Sequence, residues 1–240
     1  MFPYDPTLVT AVRSTPQSVA DVVQIMQAIE TNCADGDGLK WFNWLYLEVT
    51  QAVEARVSAG EFGDPAWMAA LDVRFARFYF DAIQTSLTGQ ATPGCWQTLF
   101  DQRNQPMIAR IQFAMAGMNA HINHDLPQAI VAICQAAGVA PAHGSTHYND
   151  YTALNATLDS LIDAAKQTLR VRLPGDALPP VSQLDDTLAA WSMSAAREAA
   201  WNNAELLWHL ADAPQIANAF LDTLDGLTAV AGKTLLVPVQ

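Results

Sequence analysis

Residues 39–57, LKWFNWLYLEVTQAVEARV, are apolar on nearly every side when wound into a helix. Phe42, Leu45, Tyr46, Val49 and Val53 form the main stripe, at spacings of three and four. A helix without a broad solvent-facing side must be enclosed by others. The chain therefore has to supply a shell of helices around this segment.

The rest of the sequence reads as that shell. Val19, Val22, Val23, Met26 and Ile29 repeat at helical spacing, and ADGDG stops them. After the breaker GEFGDP, Asp64-Pro65 marks a helix start. The third helix, from residue 66 to about 87, carries Leu71, Phe75, Tyr79 and Ile83 as its stripe. TGQATPGCW reads as loop, and a fourth helix runs from near Pro106 to about His124. Pro127 ends or kinks it, because proline lacks a backbone donor and crowds the preceding turn. A fifth helix covers about 127–137 and closes at Gly138. VAPAHGSTHYND reads as loop, with Asp150 as a candidate cap for the helix carrying Leu154, Leu158, Leu161, Ile162, Ala165 and Leu169. A proline-rich crossover at about 171–182 leads to two last helices, about 183–212 and 214–232. Only LLVPVQ at the end alternates weakly like a strand. The expectation is an all-α, single-domain bundle of about seven or eight helices spanning residues 1–240.

Composition narrows the function classes. Twelve basic against 24 acidic residues give a net charge of −12, which repels nucleic acid and anionic membranes. No uncharged apolar run of about 18 residues is present, so no membrane span is expected. The start, MFPYDPTLVTAVRSTP, has neither a basic n-region nor an apolar h-region. Cys33, Cys95 and Cys134 are an odd, scattered set, as in a reduced protein. The expected location is the cytoplasm. Cys134 reads as core, and DGDG at 35–38 as a turn that lacks the remaining ligands of a calcium loop.

Chemistry concentrates in AGMNAHINHDLPQAI, residues 116–130. His121 and Asp125 are four apart on one helix face, and His124 lies one position before Asp125. An imidazole and a carboxylate at this spacing can converge on one ion. Asn119 and Asn123 can orient a ligand. Ordinary structural roles fit as well: Asp125 as cap of the next helix, His124 at a helix C-terminus, His121 bonded to a carbonyl in the core.

Other polar residues sit where apolar ones are expected. Glu48 lies in the all-apolar helix, and Asp72 on the Phe75–Tyr79 stripe, whereas Arg77 and Asp81 read as a surface pair. In the last long stretch, Arg197, Trp201, Glu205, Trp208 and His209 share one side, and Glu205 with His209 forms a second chelating pair. The alternative is a Trp-rich packing face with Glu205 paired to an arginine. His143 and His147 are expected in an exposed loop. No G-x-S-x-G, Walker loop or dinucleotide fingerprint is present.

LKWFNWLYLEVT, LDVRFARFYFDA, GMNAHINHDLP and NDYTALN together resemble a family of all-helical bacterial and fungal proteins catalogued only as a domain of unknown function. The resemblance covers about residues 15–210 and implies that His121, Asn123, Asp125, Asp72 and the Asp150-Tyr151 pair belong to the family pattern. More distantly, H-x-x-x-D followed by proline is similar to the core helix of zinc-dependent phospholipase C and S1/P1-type nucleases. Those all-α enzymes also use an N-terminal Trp and an H-x-x-x-E helix; this chain begins with Met1 and has the reversed order in Glu205–His209. Glu198, Glu205 and His209 also resemble the ligand spacing of haem-oxygenase-like di-iron proteins.

The expected function is a metal-dependent enzyme, holding zinc or iron on His121, Asp125, His124, Glu205, His209 and Glu48, with Asp72 as a further catalytic group. A zinc-bound water would hydrolyse an ester or phosphoester. Asn119, Asn123, Trp44, Tyr79, Arg197 and Trp201, with Trp208, would line a pocket for a small hydrophobic molecule. Three alternatives stand beside it: a metal-free acid/base cyclase or isomerase, a di-iron oxygenase-like protein, and a non-catalytic ligand-binding or self-associating helical protein.

Overall fold

The computed structural model describes residues 2–176, 186, 188 and 191–238. Among these residues the chain is all-helical, with one isolated bridge between Ala109 and Arg172. Helix α3 (Gly38–Ser58) is the central element required by its sequence: Leu39, Phe42, Leu45, Tyr46, Val49 and Val53 are all buried. Around it lie α1 (Asp5–Val12), α2 (Val19–Asn32), α4 (Pro65–Leu87), α5 (Gly94–Gln102) and α6 (Arg110–Ala120). A π-helical turn (His121–Asp125) joins α6 to α7 (Leu126–Ala137). Then come α8 (Thr146–Ala153), α9 (Asn155–Thr168), α10 (Met193–His209) and α11 (Pro214–Leu235). They form one compact domain, and no described helix is long and apolar enough to cross a membrane.

Local signals place the ends. Asp64 accepts the amide of Trp67 at 2.9 Å with Pro65 in the first turn, and Ser18 forms a capping box with Asp21. Gly138 closes α7 at φ 67°, a conformation open to glycine. The tightest approach is between α3 and α6, where rings lie over glycines in both directions. A Cβ on Gly117 would lie 2.2 Å from the Phe42 ring, and one on Gly38 2.3 Å from the Phe113 ring.

Several segments differ from their sequence reading. Residues 5–12, 94–102 and 146–153 are short helices; the latter two stretches read as loop because Gly, Pro and Ser dominate their flanks. Asp150 does not cap the next helix. Its carboxylate accepts the amides of Gly63 at 2.8 Å and Asp64 at 2.7 Å, tying α8 to the turn before α4. LLVPVQ is not a strand where described: Leu235 ends α11. Most of the proline-rich crossover beyond residue 176, and the start of the helix read from 183, lie outside the described residues.

Candidate acid–base site

The π-helical turn is the centre of the site. Pro127 cannot donate a backbone hydrogen bond, and its ring crowds the carbonyl four residues before it. The chain widens by one residue ahead of it, with the Leu126 amide donating to the His121 carbonyl, and α7 starts with Pro127 in its first turn. Such widened turns recur at functional sites. Here the turn sets two histidines on one carboxylate. His121 Nδ1 lies 2.9 Å from Asp125 Oδ2, and His124 Nδ1 lies 2.7 Å from Asp125 Oδ1. Trp96, from α5, donates its indole N–H to Asp125 Oδ2 at 2.9 Å.

All three members are buried. Burial opposes ionisation of Asp125, but the hydrogen bonds from His121 and His124 outweigh it and hold its pKa below the ordinary carboxylate range. Burial dominates at His121 and pushes its pKa down in spite of Asp125, so its imidazole is neutral near pH 7. At His124 burial is overcome by the hydrogen bond and charge of Asp125, and the pKa lies above the usual value. The neutral His121 ring donates through Nδ1 and leaves Nε2 as a bare acceptor. That Nε2 is buried and has no hydrogen-bond partner.

An aromatic cage holds the His121 ring. Phe75 stacks on it at 3.5 Å between centroids and 5° between planes, and Tyr46 meets it edge-on at 4.6 Å. Phe42, Tyr79 and Trp96 close the remaining sides. Beyond Tyr46 and Phe75 lies a cavity of about 40 Å³, also lined by Asp72, Leu126, Tyr151 and Arg197. It is large enough for a water molecule or two. Asp72 Oδ2 is buried without a hydrogen-bond partner in this region, and the buried Tyr46 hydroxyl and Thr50 Oγ1 have at best each other. Burial, with a smaller push from Glu54, raises the Asp72 pKa to about 7. Native interiors rarely leave several polar groups unsatisfied together, so this cluster marks a place for water, a ligand or chemistry.

The family model described as a family of unknown function (DUF5995) matches residues 19–238. The chain belongs to that family. No curated protein and no solved structure matches the chain. The matched span of the DUF5995 model includes every residue of the cluster around His121.

The remaining sequence-selected residues divide into two groups. His121, His124, Asp125 and Asp72 are all buried, and His121 Nδ1 bonds to Asp125. Asp125 makes no side-chain cap on α7. Tyr79 is buried and donates to Asn43 at 3.3 Å. Arg197 is buried at the cavity, held by Asn155 Oδ1 at 2.8 Å and the Tyr151 carbonyl at 2.7 Å. Trp201 packs against Trp67, Tyr148 and Tyr151. Asn119 donates to the Thr228 carbonyl and accepts from Asn123, so this pair fastens α11 to the π-helical turn.

The second group is corrected. Glu48 is exposed, because the line through half-buried Trp44, Glu48, Gln51 and Ala55 is the solvent edge of α3. Glu205 and His209 are no metal pair in the core: His209 is exposed. Glu205 accepts from Trp201 Nε1 at 3.1 Å and pairs with His143 at 2.8 Å, on the surface. Glu198 pairs with the same imidazole at 2.9 Å, so the resemblance to di-iron ligands has no counterpart here. His147 is not in a loop but in α8, half-buried, stacked on Trp67 and paired with Asp64. Sequence reasoning passed over Trp96, Thr50 and Tyr46 as polar partners, since each reads as a core or loop residue in isolation. A groove of about 430 Å³ between the α1–α2 connection, α4 and α7 presents Arg74 and Arg77 but lies apart from this cluster.

Proposed function

We propose that this chain is an acid–base enzyme acting on a small, largely apolar molecule, with His121 Nε2 as the general base. The carrying observation is that Nε2 is fully buried and unpartnered while an ionised Asp125 fixes the other ring nitrogen. A neutral imidazole oriented by a carboxylate can accept a proton from substrate, and Asp125 stabilises the imidazolium that forms. Asp72, with a pKa of about 7, is the proton donor in this reading. Tyr46, whose ring touches that of His121 and whose hydroxyl has at best Thr50 as a partner, contributes a further hydrogen bond. The reaction class is proton transfer on a carbonyl-bearing molecule, as in an isomerase or cyclase. Because the cavity holds only a water or two, substrate entry requires the wall of Phe75, Leu126, Tyr151 and Arg197 to open.

The test is proton exchange. Small apolar carbonyl compounds are incubated with the protein in deuterium oxide, and deuterium uptake is followed by mass spectrometry. His121→Gln is expected to slow uptake by about 10²–10⁴-fold. Uptake that is unaltered in His121→Gln, or absent across the compound set, sinks the proposal.

Metal-assisted hydrolysis of an ester or phosphoester is the second reading. It is favoured by a different group, Cys95, His124 and Asp225, whose ligand atoms lie within 4.8 Å of one another. In that reading the likeness to zinc-dependent phospholipase C concerns chemistry alone, since the ligand set differs from the pair on one helix turn.

A further inference from the structure

Behind the site just described, on the far side of Asp125, three side chains from distant parts of the sequence meet. Cys95 stands at the start of α5, His124 in the π-helical turn and Asp225 in α11. One ligand atom from each lies within 4.8 Å of the other two. Cys95 and His124 are buried and Asp225 half-buried. We infer that Cys95 Sγ, His124 Nε2 and an Asp225 carboxylate oxygen form a binding site for one zinc ion.

Two of the ligands are held in a geometry suited to this. His124 commits Nδ1 to Asp125 at 2.7 Å, which leaves Nε2 as the ligating nitrogen once it loses its proton. A carboxylate behind a ligating histidine fixes its tautomer and strengthens it as a donor. Asp225 Oδ2 accepts the Gly94 amide and Oδ1 the Cys95 amide, both at 2.8 Å, so the carboxylate is fixed beside the Cys95 thiol, which bonds to it as well. Gly94 eases that approach: a Cβ there would lie 3.0 Å from Asp225 Oδ2, a tight contact. Ligands of a tetrahedral zinc ion stand about 3.5 Å apart, so the three need to close by only about 1 Å.

Charge and softness point to the same ion. A thiolate and a carboxylate carry two negative charges, which a divalent cation neutralises beside a neutral imidazole. Sulfur, nitrogen and oxygen donors together suit zinc, whereas magnesium and calcium take oxygen alone. On binding, the Cys95 thiol proton and the His124 Nε2 proton leave to solvent as the sulfur–metal and nitrogen–metal bonds form. Three protein ligands leave a fourth tetrahedral position for water, the arrangement that catalytic zinc sites share. The site does not depend on His121 acting as a base, and the two can fail separately.

Protein without an affinity tag is stripped of metal under reducing conditions, then titrated with zinc and separately with cobalt(II). One zinc per chain is expected, and cobalt should give a near-ultraviolet thiolate charge-transfer band. Cys95→Ala should remove the band and weaken zinc binding at least tenfold, and His124→Gln should do the same if the cysteine variant folds poorly. Asp125→Asn acts on position only, so it should keep the band and weaken binding about 10- to 100-fold. Cys33→Ala and Cys134→Ala should bind as the parent does. Absence of stoichiometric zinc, or a cobalt band that survives Cys95→Ala, overturns the assignment.

Discussion

Asp125 is the residue on which the buried polar network turns, because three donors from two elements share its two oxygens. Replacing it by alanine leaves two imidazoles and an indole N–H in the interior without an acceptor. Removing one partner of a buried pair costs about 3–5 kcal/mol, since the stranded group keeps its desolvation penalty. Asp125→Ala is therefore expected to lose about that much stability in urea denaturation. His121→Phe is expected to lose far less. It fills the same aromatic cage, removes an unsatisfied nitrogen and leaves Asp125 with His124 and Trp96. If Phe at position 121 abolishes proton exchange while the fold is kept, His121 serves chemistry and not packing. Equal, large losses for both variants would mean that the histidine is a structural member of the core.

The packing of whole helices rests on the paired glycines between α3 and α6. Gly117→Ala places a methyl within 2.7 Å of three Phe42 atoms, Cβ among them, so the buried ring or the helix must shift. The expected cost is about 1–3 kcal/mol, read as a lower urea midpoint with an unchanged slope. An alanine variant as stable as the parent would show that the two helices are free to separate. Local pattern was enough to read α2, α3, α4 and α7, because stripe, breaker and cap agree there. Short helices such as α5 and α8 escape it, since burial by neighbours supplies what their own propensity lacks. The site divides in the same way. His121, Asp125 and Asp72 stand out as polar residues among apolar ones, a signal that survives folding. Glu205 and His209 have chelating spacing as well, yet spacing says nothing of how far a helix face stays covered along its length; here the face that buries Arg197 and Trp201 emerges at His209. Cys95 and Asp225 could not be read at all. They reach His124 only through the packing of α5 and α11 on the π-helical turn, and the one local trace is the glycine before Cys95.

For the molecule as a whole, pH sets two groups of carboxyls against each other. Asp21, Asp64 and Glu198 are held below their usual pKa, chiefly by the Gln17 amide, the Trp67 amide and His143 respectively. Their contribution is present above the unfolded pKa and lost as pH falls through the folded one, so acid weakens the fold. All three are largely solvated, and water and salt keep each contribution small. Asp72 acts in the opposite sense. Its carboxyl ionises near 3.8 when unfolded and near 7 when buried, so the folded state binds the extra proton in between. Stability from Asp72 is therefore full below about pH 4, declines as pH rises to about 7, and stays at the lower level above that. With a net charge of −12, self-repulsion also grows as the last carboxyls and histidines lose protons. The thermal midpoint of the parent should peak in mildly acidic buffer and fall toward pH 8. Asp72→Asn cannot ionise, so its midpoint should exceed that of the parent at pH 8, by a few degrees or more, and match it near pH 4. A parent curve that is flat from pH 5 to 8, or an asparagine variant that runs parallel to it, would mean that Asp72 keeps its charge through contact with solvent or a cation, and it could not then serve as the acid of the site.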